Sequence, residues 1–116
     1  MANTFKVVTK ANVTSADVIY TVAGSTTTVV LGLILGNTTS GATTATVSLG
    51  SDTSGRAGNN DEANQTVELV TSVSIPGNSS LELMSGNKIV METTDTLSVT
   101  AGASTDVILS IMEITP

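Results

Sequence analysis

From Ser72 to Ile114 the chain is one short period-2 run after another with turn residues between them, and no stretch keeps the 3.6-residue rhythm of a helix. Val73-Ser74-Ile75, Leu81-Glu82-Leu83, Leu97-Ser98-Val99 and Leu109-Ser110-Ile111, with Val67-Glu68-Leu69 just before them, set apolar side chains on one face and polar ones on the other. Half-buried antiparallel sheet follows from that alternation. Val18, Tyr20 and Val22 repeat it earlier, as does Thr46-Val47-Ser48-Leu49. Gly24-Ser25, residues 37–41, Pro76-Gly77, Gly86-Asn87 and Ala101-Gly102 punctuate the runs, with Gly77 expected at positive φ. The expectation is all-β: a single-domain antiparallel β-sandwich or jelly roll of about eight strands over residues 1–116. Within it, residues 1–15 form an edge strand or arm, and residues 50–64, rich in Gly, Ser, Asn and Asp, form one long loop.

One strand stands apart. Between Val29 and Leu35 both faces are apolar: strict alternation puts Val29, Leu31, Leu33 and Leu35 on one side and Val30 and Ile34 on the other, with Gly32 between. Either a loop covers the second face or another subunit does. Ile108, flanked by Val107 and Leu109, poses the same question, so Val30, Ile34 and Ile108 are the candidate interface residues. At seven residues the run is far short of the ~20 needed to span a bilayer as a helix, so no membrane partner is expected.

Composition narrows the function. The core must be aliphatic, because Phe5 and Tyr20 are the only aromatic residues. Four basic against ten acidic residues give a net charge of -6, which cannot supply the phosphate contacts of nucleic-acid binding, and two aromatics cannot build a base-stacking platform. Without His or Cys the usual general base, the thiol nucleophile and nearly all zinc or iron sites are missing. The lack of Cys is compatible with synthesis in a reducing cytoplasm, and the first residues show no signal peptide. A Ser-Lys dyad using Lys10 or Lys88 would need a Gly-flanked elbow at a helix start, and none is present. A glycosidase pair drawn from Glu68, Glu82, Glu92 and Glu113 would lack aromatic platforms for sugar. These carboxylates read as polar faces of strands, no cofactor is expected, and the chain is not read as an enzyme.

The long loop collects Asp52, Arg56, Asp61 and Glu62. The three acids do not have the spacing of a regular calcium loop, so the four form a candidate contact loop rather than a metal site. Composition so rich in Ser, Thr and Asn explains most of the sequons at Asn12, Asn37, Asn64 and Asn78, and they carry no inference of glycosylation.

Two stretches have a more specific look: residues 20–33, Tyr-Thr-Val-Ala-Gly-Ser-Thr-Thr-Thr-Val-Val-Leu-Gly-Leu, and Ile75-Pro76-Gly77-Asn78-Ser79-Ser80-Leu81 followed by Lys88-Ile89-Val90-Met91-Glu92 and Asp95-Thr96-Leu97-Ser98-Val99. Together they resemble small virion structural proteins of tailed bacteriophages, particularly of marine cyanophage type. The resemblance implies an all-β, homo-oligomeric virion component, made in the host cytoplasm, whose partners are further copies of itself, in a trimer, and major capsid or tail proteins. It implies no catalytic residues. A capsid decoration or cement subunit is the first expectation; a tail or fibre accessory, or a host-surface binding module using residues 50–64, is the alternative.

Overall fold

A computed structural model describes residues 1–51, 65–84 and 86–116. Among these residues the chain forms nine strands: β1 (Ala2–Val13), β2 (Ala16–Thr21), β3 (Thr27–Asn37), β4 (Thr43–Ser51), β5 (Gln65–Ile75), β6 (Ser80–Leu83), β7 (Ile89–Met91), β8 (Thr96–Ala101) and β9 (Thr105–Thr115). All pairings are antiparallel. Sheet A runs β1-β9-β3-β6 with β7 also on β3, and sheet B runs β2-β8-β4-β5. β6 pairs with Leu33–Gly36 and β7 with Thr28–Val30, so the two are halves of one interrupted edge strand. Counted as one strand, they leave two four-stranded sheets between which the chain crosses back and forth. That is a jelly roll, one of the two architectures expected from the sequence.

The core lies between the sheets. Leu33, Leu35, Val107, Leu109 and Ile111 of sheet A face Ala45, Val47, Leu97, Val99 and Ala101 of sheet B, while Val13, Val22, Ile75 and Met91 close its ends, all essentially without solvent contact. Every one is aliphatic or methionine. Branched aliphatic side chains fill a thin inter-sheet space in few rotamers, which suits close packing without large rings. Phe5 contributes nothing to this core, being 72% exposed, and Val18 also turns outward.

The double-faced strand is where strict alternation fails. Val30 pairs with Ile111, but the next partners are Gly32 and Ser110, so Leu31 is an extra residue in the ladder. Before this bulge Thr28 and Val30 point inward; after it Leu33, Leu35 and Asn37 do. Val30, 1% exposed, is therefore a core residue, whereas Ile34 on the far side of the bulge points to solvent. The expected grouping of Val30 with Ile34 and Ile108 is corrected accordingly, because one inserted residue exchanges the two faces of a strand.

At one end of the sandwich the β3–β4 and β5–β6 connections lock together. The Asn37 side chain is buried; its Nδ2 donates to the carbonyls of Gly41 (2.8 Å) and Ile75 (3.0 Å), and its Oδ1 accepts from the Thr39 N–H (2.9 Å) and hydroxyl (2.7 Å). The Asn78 N–H donates to the Thr39 carbonyl at 2.8 Å. In the β5–β6 turn it is Asn78, at φ 57, that takes the left-handed conformation expected of Gly77. Gly77 is required for a different reason: a Cβ there would lie 2.1 Å from the Ser40 carbonyl oxygen.

Candidate functional site

The side chains able to do acid–base chemistry are dispersed over the fold. Glu68 accepts a hydrogen bond from the Thr71 hydroxyl on the exposed β5 edge, and Glu82 sits opposite Ile34 on β6. The Glu92 N–H donates to Asp95 Oδ2 (2.9 Å) within the turn before β8, and Lys10 lies 3.7 Å from Asp17. Among the described residues no three acidic side chains gather closely enough to hold a metal ion. Asp52, Arg56, Asp61 and Glu62 lie outside the described residues.

Glu113 has a structural assignment. Its Oε1 lies 2.8 Å from Lys6 Nζ and its Oε2 accepts from the Tyr20 hydroxyl at 2.6 Å. Tyr20's one hydroxyl proton is thereby committed, so at 2.8 Å the Thr28 hydroxyl donates to Tyr20. β1, β2 and β9 are thus tied at one carboxylate, and β3 joins them through Thr28 and Tyr20. Burial, reinforced by the hydrogen bond to Glu113, pushes the Tyr20 hydroxyl up to about 12, so it stays a donor throughout the neutral range. The hydrogen bonds from Lys6 and then Tyr20 hold Glu113 below the usual carboxylate range against the opposing effect of burial. A folded pKa depressed below the unfolded one stabilises the fold above the unfolded value of about 4.3, and that contribution is lost as pH falls through the folded pKa. Glu113→Gln is expected to lower the urea midpoint at pH 7, with the gap from wild type closing as pH falls below about 4. A gap independent of pH would contradict this role.

The outer face of sheet A offers surface rather than chemistry. Register aligns Phe5, Met112, Val29 and Val90 in one row across β1, β9, β3 and β7, and Thr9, Ile108, Ile34 and Glu82 in a second across β1, β9, β3 and β6. Between the rows lie Val7, Ser110 and Gly32. Phe5, Val7 and Val90 are more than half exposed, Ile108 is 44% and Ile34 37% exposed, and Met112 and Val29 are half-buried between them. The first row is an apolar ridge; the second is apolar at Ile108 and Ile34 and ends in Thr9 and Glu82, and a trough opens beside that isoleucine pair. The trough is a depression of about 300 Å³ bounded by Ile34 and Ile108, floored by Gly32 and Ser110 and overhung by Met84. A Cβ added at Gly32 would meet nothing, so the floor is open.

Of the three candidate interface residues, the structure brings Ile34 and Ile108 together as directly paired neighbours and sends Val30 inside. Phe5, Val7, Val29, Val90 and Met112 were not singled out from the sequence. The signal available was the Phe5/Val7 alternation in a segment that ends in lysine and turn residues; the rest depends on register across strands distant in sequence.

No protein-family model matches this chain, and no curated protein matches it. Among solved structures, it is similar to a chain from the disulfide-linked pili that form Bacillus endospore appendages, at 18% identity and a TM-score of 0.47, covering 98% of this chain and 87% of that one. It is also similar, at 9% identity and a TM-score of 0.45, to a chain of the T13 particle of the virus IBDV, covering 96% of this chain but only 35% of that chain.

Proposed function

We propose that this chain is a non-enzymatic structural subunit of a virion, a capsid decoration or cement protein, that self-associates through the outer face of sheet A. The observation that carries the reading is the apolar row Phe5, Met112, Val29 and Val90 together with the adjoining Ile34 and Ile108 on the solvent-facing side of one sheet. Scattered apolar residues on a surface need no explanation, but an apolar row across a whole sheet with a second apolar pair beside it marks a surface that another protein covers. Four strands about 4.8 Å apart and roughly 33 Å long present about 600 Å² before side-chain relief is counted, close to the ~800 Å² per partner of a stable interface. Ridge and trough on one face let Ile108 of one copy enter the trough of the next, a heterologous contact that closes into a ring such as a trimer.

In this reading the subunit is made in the host cytoplasm and joins the particle through a major capsid protein; a tail or fibre accessory is the alternative location. Light scattering on the purified chain tests the self-association. The wild type should have the mass of an oligomer, and Ile34→Asp, kept dilute and unwarmed, that of a folded monomer. A monomeric wild type at all accessible concentrations would overturn the interface.

A further inference from the structure

β1 is held differently from the strands that build the core. Ten of its twelve residues are exposed, and it packs along β9 over its whole length while barely touching β2 and β8 of the facing sheet. Its inward positions, paired with Glu113, Ile111, Leu109 and Val107, are Thr4, Lys6, Val8 and Lys10. Of these only Val8 packs against the core, and both lysine side chains are about half exposed. Residues 2–10 are thus held mainly by a backbone ladder, one valine, and the ion pairs of Lys6 with Glu113 and Lys10 with Asp17.

The ladder breaks at a definite joint. Regular pairing stops after Lys10–Val107 and resumes at Val13–Thr105. Between them Asn12 stands at φ 59, its N–H donating to Asp106 Oδ1 (3.0 Å) and its Oδ1 accepting from the Ser104 hydroxyl (2.8 Å). Val13 beyond it is fully buried. An exposed, regular segment therefore meets a fixed anchor through one left-handed, non-glycine residue, a conformation that costs free energy and is relieved when the chain straightens.

We propose that residues 2–10 are an exchangeable arm whose partner is a second copy of this chain. The arm leaves its own β9, straightens at Ala11-Asn12, and pairs with β9 of the second copy in the same register. Ladder, Val8 contact and the Lys6–Glu113 pair are then remade between copies, so exchange gives up chiefly the two Asn12 hydrogen bonds at the joint and depends on protein concentration and on that joint. The inward lysines oppose the simpler association, in which a foreign strand adds to the free edge of β1, because inward charges on an edge strand block such pairing. The exchange goes beyond packing through the outer face of sheet A and does not require Ile34 or Ile108.

Asn3 and Ile114 are paired positions on the outward face, and the chain is otherwise free of cysteine. Full-length chains carrying Asn3→Cys or Ile114→Cys, each also bearing Ile34→Asp to remove face packing, are mixed at high concentration, warmed and oxidised. Exchange predicts that the mixed disulfide outnumbers both symmetric ones, and far exceeds that formed when Thr44→Cys on the exposed part of β4 replaces Asn3→Cys. Mixed product no more abundant than this control overturns the proposal. Asn12→Val, whose branched side chain tolerates positive φ poorly, should raise the mixed product several-fold; a yield unchanged or lowered also overturns it.

Discussion

Val30→Asp is expected to unfold the protein, while Ile34→Asp, four residues along the same strand, leaves it folded and monomeric. Val30 has no solvent contact and sits opposite Ile111 in the inter-sheet core, so an aspartate there is a buried charge without a partner. The cost is on the order of 5 kcal/mol, comparable with the entire stability of a small domain, roughly 5–15 kcal/mol. Ile34 lies past the Leu31 bulge on the outer face, 37% exposed and opposite Glu82, where the same substitution costs about 2 kcal/mol, well short of unfolding the domain. Far-ultraviolet circular dichroism should show strand signal lost for Val30→Asp and kept for Ile34→Asp. The opposite pattern, or unfolding of both, would mean that the strand is in the other register.

Asn37→Ala should produce the largest loss among polar substitutions. The buried side chain donates to the carbonyls of Gly41, Ile75 and Pro76 and accepts twice from Thr39, joining the two connections. Removing it takes the side-chain donor from the buried Ile75 carbonyl and frees Thr39 from the turn, for a total of about 3 kcal/mol. For a chain of this size the melting temperature should fall by roughly 10–20 °C. Asn37→Asp should be worse, because it keeps the acceptor for Thr39 but turns a second carboxylate oxygen toward these carbonyls. A melting temperature within a few degrees of wild type for both variants would show that the two connections are not joined through this residue. The same bonds commit the amide nitrogen of the Asn37 sequon in the folded protein.

Much of the architecture is legible in the residues themselves. Leu97-Ser98-Val99 and Val107 to Ile111 alternate without interruption, and both runs face inward as their period demands. The scarcity of aromatics foretells an aliphatic core. What is not legible is every feature that turns on a single residue of register. The bulge at Leu31 leaves no mark in an unbroken apolar run, yet it moves Val30 to the opposite face from Ile34. Nothing near Gly77 in sequence announces that Ser40 will approach it, and the polar Asn37 looks like a turn residue rather than a buried tie. The outer face of sheet A is assembled from β1, β9, β3 and β7, whose neighbourhood is a property of topology and not of local pattern. Ile34 and Ile108 could be suspected individually; that they adjoin could not.

Immunogold electron microscopy of particles purified from the host lysate, with antibody raised against this chain, tests the central claim most directly. A decoration subunit predicts gold spread over the heads. Label confined to one vertex or to fibres would place the subunit on the tail instead, and unlabelled particles would contradict a virion role altogether.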